Sequence, residues 1–467
     1  MKWVGLALLL AATVFLSNWL RRNPLQAPKI WMLFGLMPFL MTVGHLVMAF
    51  VLLDGDALHF YVHGAEFSVL DALAIALYFN QPNRPEGRYS LPFKLAMAVY
   101  CFAVLLSSIQ SIYPSATLFY AWQLARMFFI YAVVAKACTV DTRVPSAILT
   151  GMAVGLFLQT AFVIWERFGL GVQQASGTFD HQNILGMISH LVVFPSFALL
   201  LAGRGGRLPA AIVLSGVIIE LLTASRATIG LAILAYVLVF ILSALRHWTP
   251  RKARILFVGL VAIAILAPVA VMKIEVRGGN DVASSDNART AMENAAYLLI
   301  SRYPLGVGAN NYVLAANTSG ANAAAGLDWT SNSIFVHNAY LLVAAETGYF
   351  GLASFILVLI CPLLVAFRCG WNKREDPRGD LLLGLGVGLL AAYLHAAFEW
   401  VFLLDLTQYM VVIQFGIVVG LARQLGYWKK PYALRYPSQM KSSSISSKST
   451  AETVGPRDRQ RVHHPLT

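Results

Sequence analysis

Charge is scarce in this chain. Only 12% of its 467 residues are charged, about half the share of a soluble globular domain. By contrast 58% are hydrophobic, and the mean hydropathy is +0.66. A soluble enzyme is excluded on that balance. Cysteine is scarce as well. Cys101, Cys138, Cys361 and Cys369 fall in apolar segments or beside basic ones, which argues against a disulfide framework, and no spacing suits a metal. No RNA- or DNA-binding motif accompanies the net charge of +13, so nucleic acid is not the expected partner. Nor is there an internal repeat with paired broken helices, the mark of many secondary transporters.

What is present is a succession of apolar runs, most of them near the roughly 20 residues that cross a bilayer core. They fall near 3–20, 30–52, 60–79, 91–112, 115–138, 145–165, 184–203, 208–224, 226–245, 254–272, 338–368, 381–400 and 406–424. All are expected to be helical, being too long and too evenly apolar for the alternating strands of a membrane barrel. The predicted fold is therefore all-α: a polytopic bundle of 12–13 transmembrane helices with one large loop outside the membrane. The first segment has the length of a signal anchor and no convincing cleavage site. Twelve spans result if it lies in the interface or pairs with its neighbour.

Charge alternates between successive loops. Arg21, Arg22 and Lys29 are followed by an acidic loop with Asp54, Asp56 and Glu66; Arg84, Arg88 and Lys94 lie on the basic side again. Arg246, Arg251, Lys252 and Arg254 join that side, as do Arg368, Lys373, Arg374 and Arg378. Every second loop is basic, which fixes orientation with the basic loops cytoplasmic. The chain divides into an N-terminal bundle (1–174), a core (175–370) with the external loop 274–336, C-terminal helices (371–426), and a basic, Ser-rich cytoplasmic tail (427–467) that reads as disordered. Within the loop, Ser284-Ser285-Asp286 is expected to cap a helix over 287–303 whose apolar residues Met292, Ala295, Ala296, Leu299 and Ile300 face the bundle. The stretch 314–327 reads as a mobile loop.

This orientation gathers unusual polar residues on the outer side. His337-Asn338 opens a long apolar run that carries Glu346 and is broken by Gly348 and Gly351. Asp180, His181 and Asn183 lead into the seventh segment, and Arg226 lies at the turn before the ninth. Arg289 belongs to the loop helix, and Glu399 lies at the end of the twelfth segment. Arginines at a membrane surface suit phosphate, offering fork-shaped donors and a permanent charge. A histidine titrating near neutrality can take a proton from a sugar hydroxyl. Together they suffice for glycosyl transfer from a lipid-diphosphate donor, and the outer loops hold no DxD-like acidic pair. Plainer roles stand beside these: His337 as a helix cap, Arg226 reaching to head groups, Arg289 as a solvated charge. Glu346 lies nine positions from His337, about 180° around a continuous helix, and is expected to bond a neighbouring span instead. His395 and Glu399 share a helical face at i,i+4 and are expected to pair. Arg126 and Glu220, both inside spans, are expected to neutralise each other or to serve function.

The run His337 to Gly351 resembles the signature of the O-antigen ligase and O-antigen polymerase superfamily. Gly177-Thr178-Phe179 with Asn183, Thr223-Ala224-Ser225-Arg226, and Arg289 followed by Pro304-Leu305-Gly306-Val307-Gly308 resemble its other segments in order and spacing. The resemblance covers about 175–365, with two departures: Ala227 stands where a glycine is usual, and Asp180-His181 where many members have Gly-Asn. It implies a C-type glycosyltransferase-like fold in the bacterial inner membrane with its active site facing the periplasm. It also implies an undecaprenyl-diphosphate-linked glycan as donor, lipid A-core or a growing polysaccharide as acceptor, and neither metal nor cofactor. His337 would be the general base or orient the acceptor. Arg226 and Arg289 would hold the diphosphate. Asn338, Glu346, Asp180, His181, Asn183, Arg126 and Glu399 would support the site or bind the acceptor. Ligase and polymerase are not separated; a flippase of the same lipid, or a ligase to protein, is the alternative.

Overall fold

The computed structural model describes residues 2–43, 49–54, 60–81, 90–276, 279–327 and 334–428. Its first half carries α1 (Lys2–Arg22), α2 (Ala27–Leu40), α3 (Val69–Phe79), α4 (Lys94–Ser107), α5 (Pro114–Val140), α6 (Arg143–Phe168) and α7 (Gln182–Leu201). Then come α8 (Leu208–Leu222), α9 (Arg226–Arg246), α10 (Pro250–Val276), α11 (Gly279–Arg302), α12 (Tyr312–Thr318) and α13 (Ala321–Ala324). The last three are α14 (Ala339–Asn372), α15 (Pro377–Ala396) and α16 (Asp405–Gln424). Among the described residues eight helices are long and apolar enough to cross a membrane: α1, α5, α6, α7, α9, α14, α15 and α16. The protein is an all-α polytopic membrane protein.

α7, α15 and α16 form the centre, with 89%, 83% and 94% of their apolar windows buried, whereas α1 and α9 bury 17% and 28% and face outward. Small residues let the central helices touch backbone to backbone. A Cβ on Gly416 or Gly420 of α16 would stand 2.6 or 2.2 Å from Val134 or Cys138 of α5. Gly384 and Gly388 do the same for α15 on α7, where a Cβ would stand 2.7 and 2.9 Å from the Phe194 and His190 carbonyls.

Three expectations fail. The apolar runs 30–52 and 60–79 are not continuous helices: α2 stops at Leu40, and a hairpin of β1 (Ala49–Asp54) and β2 (Gly64–Ser68) stands between α2 and α3. Short apolar runs suit a buried strand as well as a helix, and Gly64 lets the hairpin close, since a Cβ there would lie 2.0 Å from the Leu53 carbonyl. The loop helix begins at Gly279, so Ser284-Ser285-Asp286 lies inside it and is no cap. The supposed loop 314–327 contains α12 and α13, because its alanines favour helix and Ala315, Ala316 and Ala321 are buried. The predicted buried face of α11 is present: Met292, Ala295, Ala296, Leu299 and Ile300 are all buried.

Candidate functional site

Glu399 is the centre of the polar site. α15 ends at Ala396, and the chain runs extended through Glu399 (φ −149°, ψ 138°) into a tight turn at Trp400–Leu403. The Glu399 carboxylate is 1% exposed yet bonded on both oxygens. His337 Nδ1 lies 2.9 Å from Oε2, while Arg289 reaches Oε1 at 3.3 Å and Asn183 donates its amide to the same oxygen. Burial pushes this carboxyl up, but the His337 hydrogen bond and the charges of His337, Arg289 and His181 outweigh it and hold it below its ordinary 4.5. Glu399 is thus an ionised, acceptor-only group at neutral pH, so the proton between it and His337 sits on Nδ1. With that tautomer it is Nε2 that carries the lone pair, on a side chain 25% exposed.

Local structure keeps His337 available. The helix cap is made by Asn338, whose side chain accepts from the backbone N–H of Tyr340 (3.0 Å) and Leu341 (3.1 Å). Two residues before His337, Phe335 packs against Trp400, the neighbour of Glu399, with ring centroids 4.5 Å apart. This aromatic contact fixes the two segments on which the dyad sits.

Arg289 is carried by the exposed side of α11, its side chain 38% accessible, while the opposite face of that helix packs on the bundle. His181 caps α7, its Nδ1 accepting from the Asn183 N–H at 3.2 Å. Burial lowers the His181 pKa, the Glu399 charge opposes this, and His337 and Arg289 add to the lowering. Asp180 is exposed beside it. The loop before α7 is tied down by Glu166, which accepts from the N–H groups of Ser176 and Gly177 at 2.9 and 2.7 Å. Arg226 is exposed at the first turn of α9. It stands at the same end of the bundle as the Glu399 group. Thr228, two residues on, packs so tightly on Gly186 of α7 that a Cβ there would lie 2.1 Å from its hydroxyl.

Glu346 belongs to a second network. It accepts from Tyr61 Oη (2.8 Å) and from the Tyr312 N–H (3.1 Å) and is 1% exposed. Around it the Pro304–Gly308 turn pairs with α14 as a strand would: Val307 N–H to Ala345 O and Gly308 N–H to Glu346 O, both 2.9 Å. α14 is broken at Gly348 (φ 68°), where a Cβ would lie 2.1 Å from the Pro304 carbonyl; Gly306 (φ 84°) would collide with Glu346 O at 2.2 Å. The Glu-x-Gly and Pro-x-Gly-x-Gly segments are two halves of one latch. Asn310 and Asn311, which the sequence reading passed over, extend it. Asn310 Oδ1 accepts from the Tyr61 and Val62 N–H groups, and Asn311 Oδ1 from Tyr113 N–H. Two adjacent asparagines following Gly308-Ala309 are the signal that was there to find.

Two expected pairings are absent. His395 does not pair with Glu399, because α15 ends between them and the i,i+4 register is lost. Both its ring nitrogens are buried without a hydrogen bond. Arg126 does not meet Glu220. It bonds Asp71 at 2.9 Å and Tyr409, with Glu66 at 3.8 Å, whereas Glu220 lies beside Tyr236. Arg126 thus ties α5 to α3 through Asp71 and to α16 through Tyr409. Among the described residues no group of three or more His, Cys, Asp or Glu could hold a metal.

The O-antigen ligase family profile matches residues 210–356, a stretch that holds Arg226, Arg289, His337 and the whole Glu346 latch apart from Tyr61. No curated protein matches the chain. The matched segment is about a third of the chain, and over it the chain is similar to the O-antigen ligase family; Glu399, Asn183 and His181 lie outside it.

Proposed function

We propose that the protein is a glycosyltransferase that moves a glycan from an undecaprenyl-diphosphate carrier onto a sugar hydroxyl, as an O-antigen ligase or polysaccharide polymerase. The observation that carries this is the His337–Glu399–Arg289 arrangement: a base whose tautomer is set by a buried carboxylate, beside a partly exposed guanidinium. His337 Nε2 takes the acceptor hydroxyl proton as that oxygen attacks the anomeric carbon. The bond from that carbon to the diphosphate oxygen breaks, and the electron pair leaves with the diphosphate. Glu399 stabilises the imidazolium that forms, while Arg289 and Arg226 hold the departing negative charge. A single displacement of this kind inverts the anomeric centre.

Two features support a lipid-borne donor. On α9 the exposed apolar residues Ile233, Leu234 and Val237 follow Arg226 and offer a lipid-facing surface. The site also lies at the opposite end of α7, α9, α14 and α15 from the basic residues Arg204, Arg246, Arg374 and Arg378. The positive-inside rule then favours a periplasmic site in the inner membrane.

The test is His337→Ala in the native host. The variant is expected to accumulate in the membrane and to transfer no glycan; normal surface polysaccharide would overturn the proposal. In the same strain, single repeat units left on the carrier identify a polymerase, and finished polymer left unattached identifies a ligase.

A further inference from the structure

The basic end of the bundle holds a cavity of about 640 Å³ at the meeting of α7, α9, α10, α14 and α15. Its lining carries five permanent cations (Arg204, Arg246, Arg251, Lys252 and Arg374) against two carboxylates, Glu375 and Asp380. Arg251 donates to the Leu200 carbonyl at 2.8 Å, and the other four cations divide into a floor and a rim. Arg246 is buried and fixed to the carbonyls of Gly370 (2.8 Å), Lys373 (2.7 Å) and Arg374 (2.8 Å), with Asp380 at 3.7 Å. Lys252 is buried on the Ser243 and His247 carbonyls. These contacts fill the helix C-termini of α9 and α14 and leave the floor positive. On the rim, Arg204 and Arg374 are exposed, and the Arg374 guanidinium lies 4.8 Å over the Trp371 ring. Beside the mouth stand exposed apolar residues: Leu245 and Trp248 next to α9's end, and Phe257 and Val258 on α10.

We propose that this cavity is a binding site for a phosphate-bearing anion, and that the anion is the headgroup of an anionic phospholipid. Fixed floor cations and an exposed Arg rim match a phosphate diester. The apolar flanks supply what acyl chains need and a free phosphate does not. The cavity is distinct from the transfer site: α7, α9 and α15 each carry one site at either end, and their 20 or 21 residues put the two about 30 Å apart. The inference holds whether or not the proposed transfer reaction is correct.

The test is native mass spectrometry of the full chain in detergent, titrated with phosphatidylglycerol, with phosphatidylcholine, or with inorganic phosphate. Phosphatidylglycerol adducts are expected on the wild type in preference to phosphatidylcholine. The double variant Arg204→Ala/Arg374→Ala should weaken them about twenty-fivefold, at about fivefold per rim cation, and Arg204→Lys/Arg374→Lys should retain most of the binding. Both rim positions are exposed, so neither variant should fail to fold; Arg21→Ala/Arg22→Ala, at another basic loop, is the control and should change nothing. Equal loss in the control pair, or equal adducts of both lipids, would overturn the proposal. Protection by inorganic phosphate with no preferred lipid would overturn the lipid assignment.

Discussion

Glu399→Gln separates the roles of the site most sharply. The amide keeps the volume and one acceptor oxygen but loses the charge that Arg289 and His337 share. The cost to folding is small: a hydrogen bond to a charged group is worth about 1.5–3 kcal/mol, and His337 and Arg289 are 25% and 38% exposed and can turn to water. A loss near the lower end, about 1.5 kcal/mol, is expected. The cost to chemistry is larger. The amide no longer dictates which imidazole nitrogen carries the proton, and the imidazolium formed in the reaction loses its counter-charge. A carboxylate-to-amide change of this kind behind a catalytic histidine costs about 10⁴-fold in serine proteases; with a partly exposed histidine about 10³-fold is expected, or about 4 kcal/mol in the barrier. The assay is transfer in proteoliposomes with the lipid-linked donor, alongside thermal unfolding of the same preparation. Because Glu399 acts through His337, adding Glu399→Gln to His337→Ala should cost little more than His337→Ala alone. Turnover within about threefold of wild type, or losses that multiply, would refute the dyad.

Three further variants probe the scaffold. Gly348→Ala places a Cβ 2.1 Å from the Pro304 carbonyl at φ 68°, so a loss on the order of 3 kcal/mol and poor membrane accumulation are expected; wild-type thermal stability would contradict the latch geometry. Tyr61→Phe removes a 2.8 Å donor from buried Glu346 and should cost about 1.5–3 kcal/mol in unfolding, with turnover per folded molecule unchanged. Glu66 is held up at about 7, first by burial and then by the charges of Asp405 and Asp71, with Arg126 opposing. A carboxyl raised in the folded state stabilises fully below its unfolded value of 4.5, and that advantage is lost as pH rises through about 7. Glu66→Gln should therefore raise the unfolding temperature at pH 8 relative to wild type and leave it unchanged near pH 4; the opposite pH dependence would exclude this account.

Much of the fold was legible because a bilayer permits few solutions. Apolar length located the helices, and a period of 3.6 located the buried face of α11. The failures have definite causes. Composition read 314–327 as loop because Gly and Asn flank its alanines, but propensity and burial of the alanines prevailed. The 49–68 region failed because strand and buried helix look alike over five or six apolar residues. In the site, His337, Arg289 and Asn183 were legible as polar residues at one end of the bundle. The His337–Glu399 contact was not, since it joins residues 62 apart in sequence, and pairing Glu399 with His395 assumed that α15 continues past Ala396.

The short run from His337 to Gly351 thus serves two structures. Its first residue turns toward Glu399 and Arg289 at the open end of the bundle, while Glu346 and Gly348 turn the other way and lock the Pro304–Gly308 segment to α14. Because α11 runs directly into that segment, the latch sets where Arg289 stands relative to His337. A fixed Arg289 matters, since a displacement of about 1 Å in a positioning group can cost 10²-fold in rate. In the proposed mechanism, the spacing from His337 through Glu346 to Gly348 is then the distance from the reacting group to the anchor that aligns its partner. That explains why this segment carries polar groups and a broken helix inside a membrane, where both are costly.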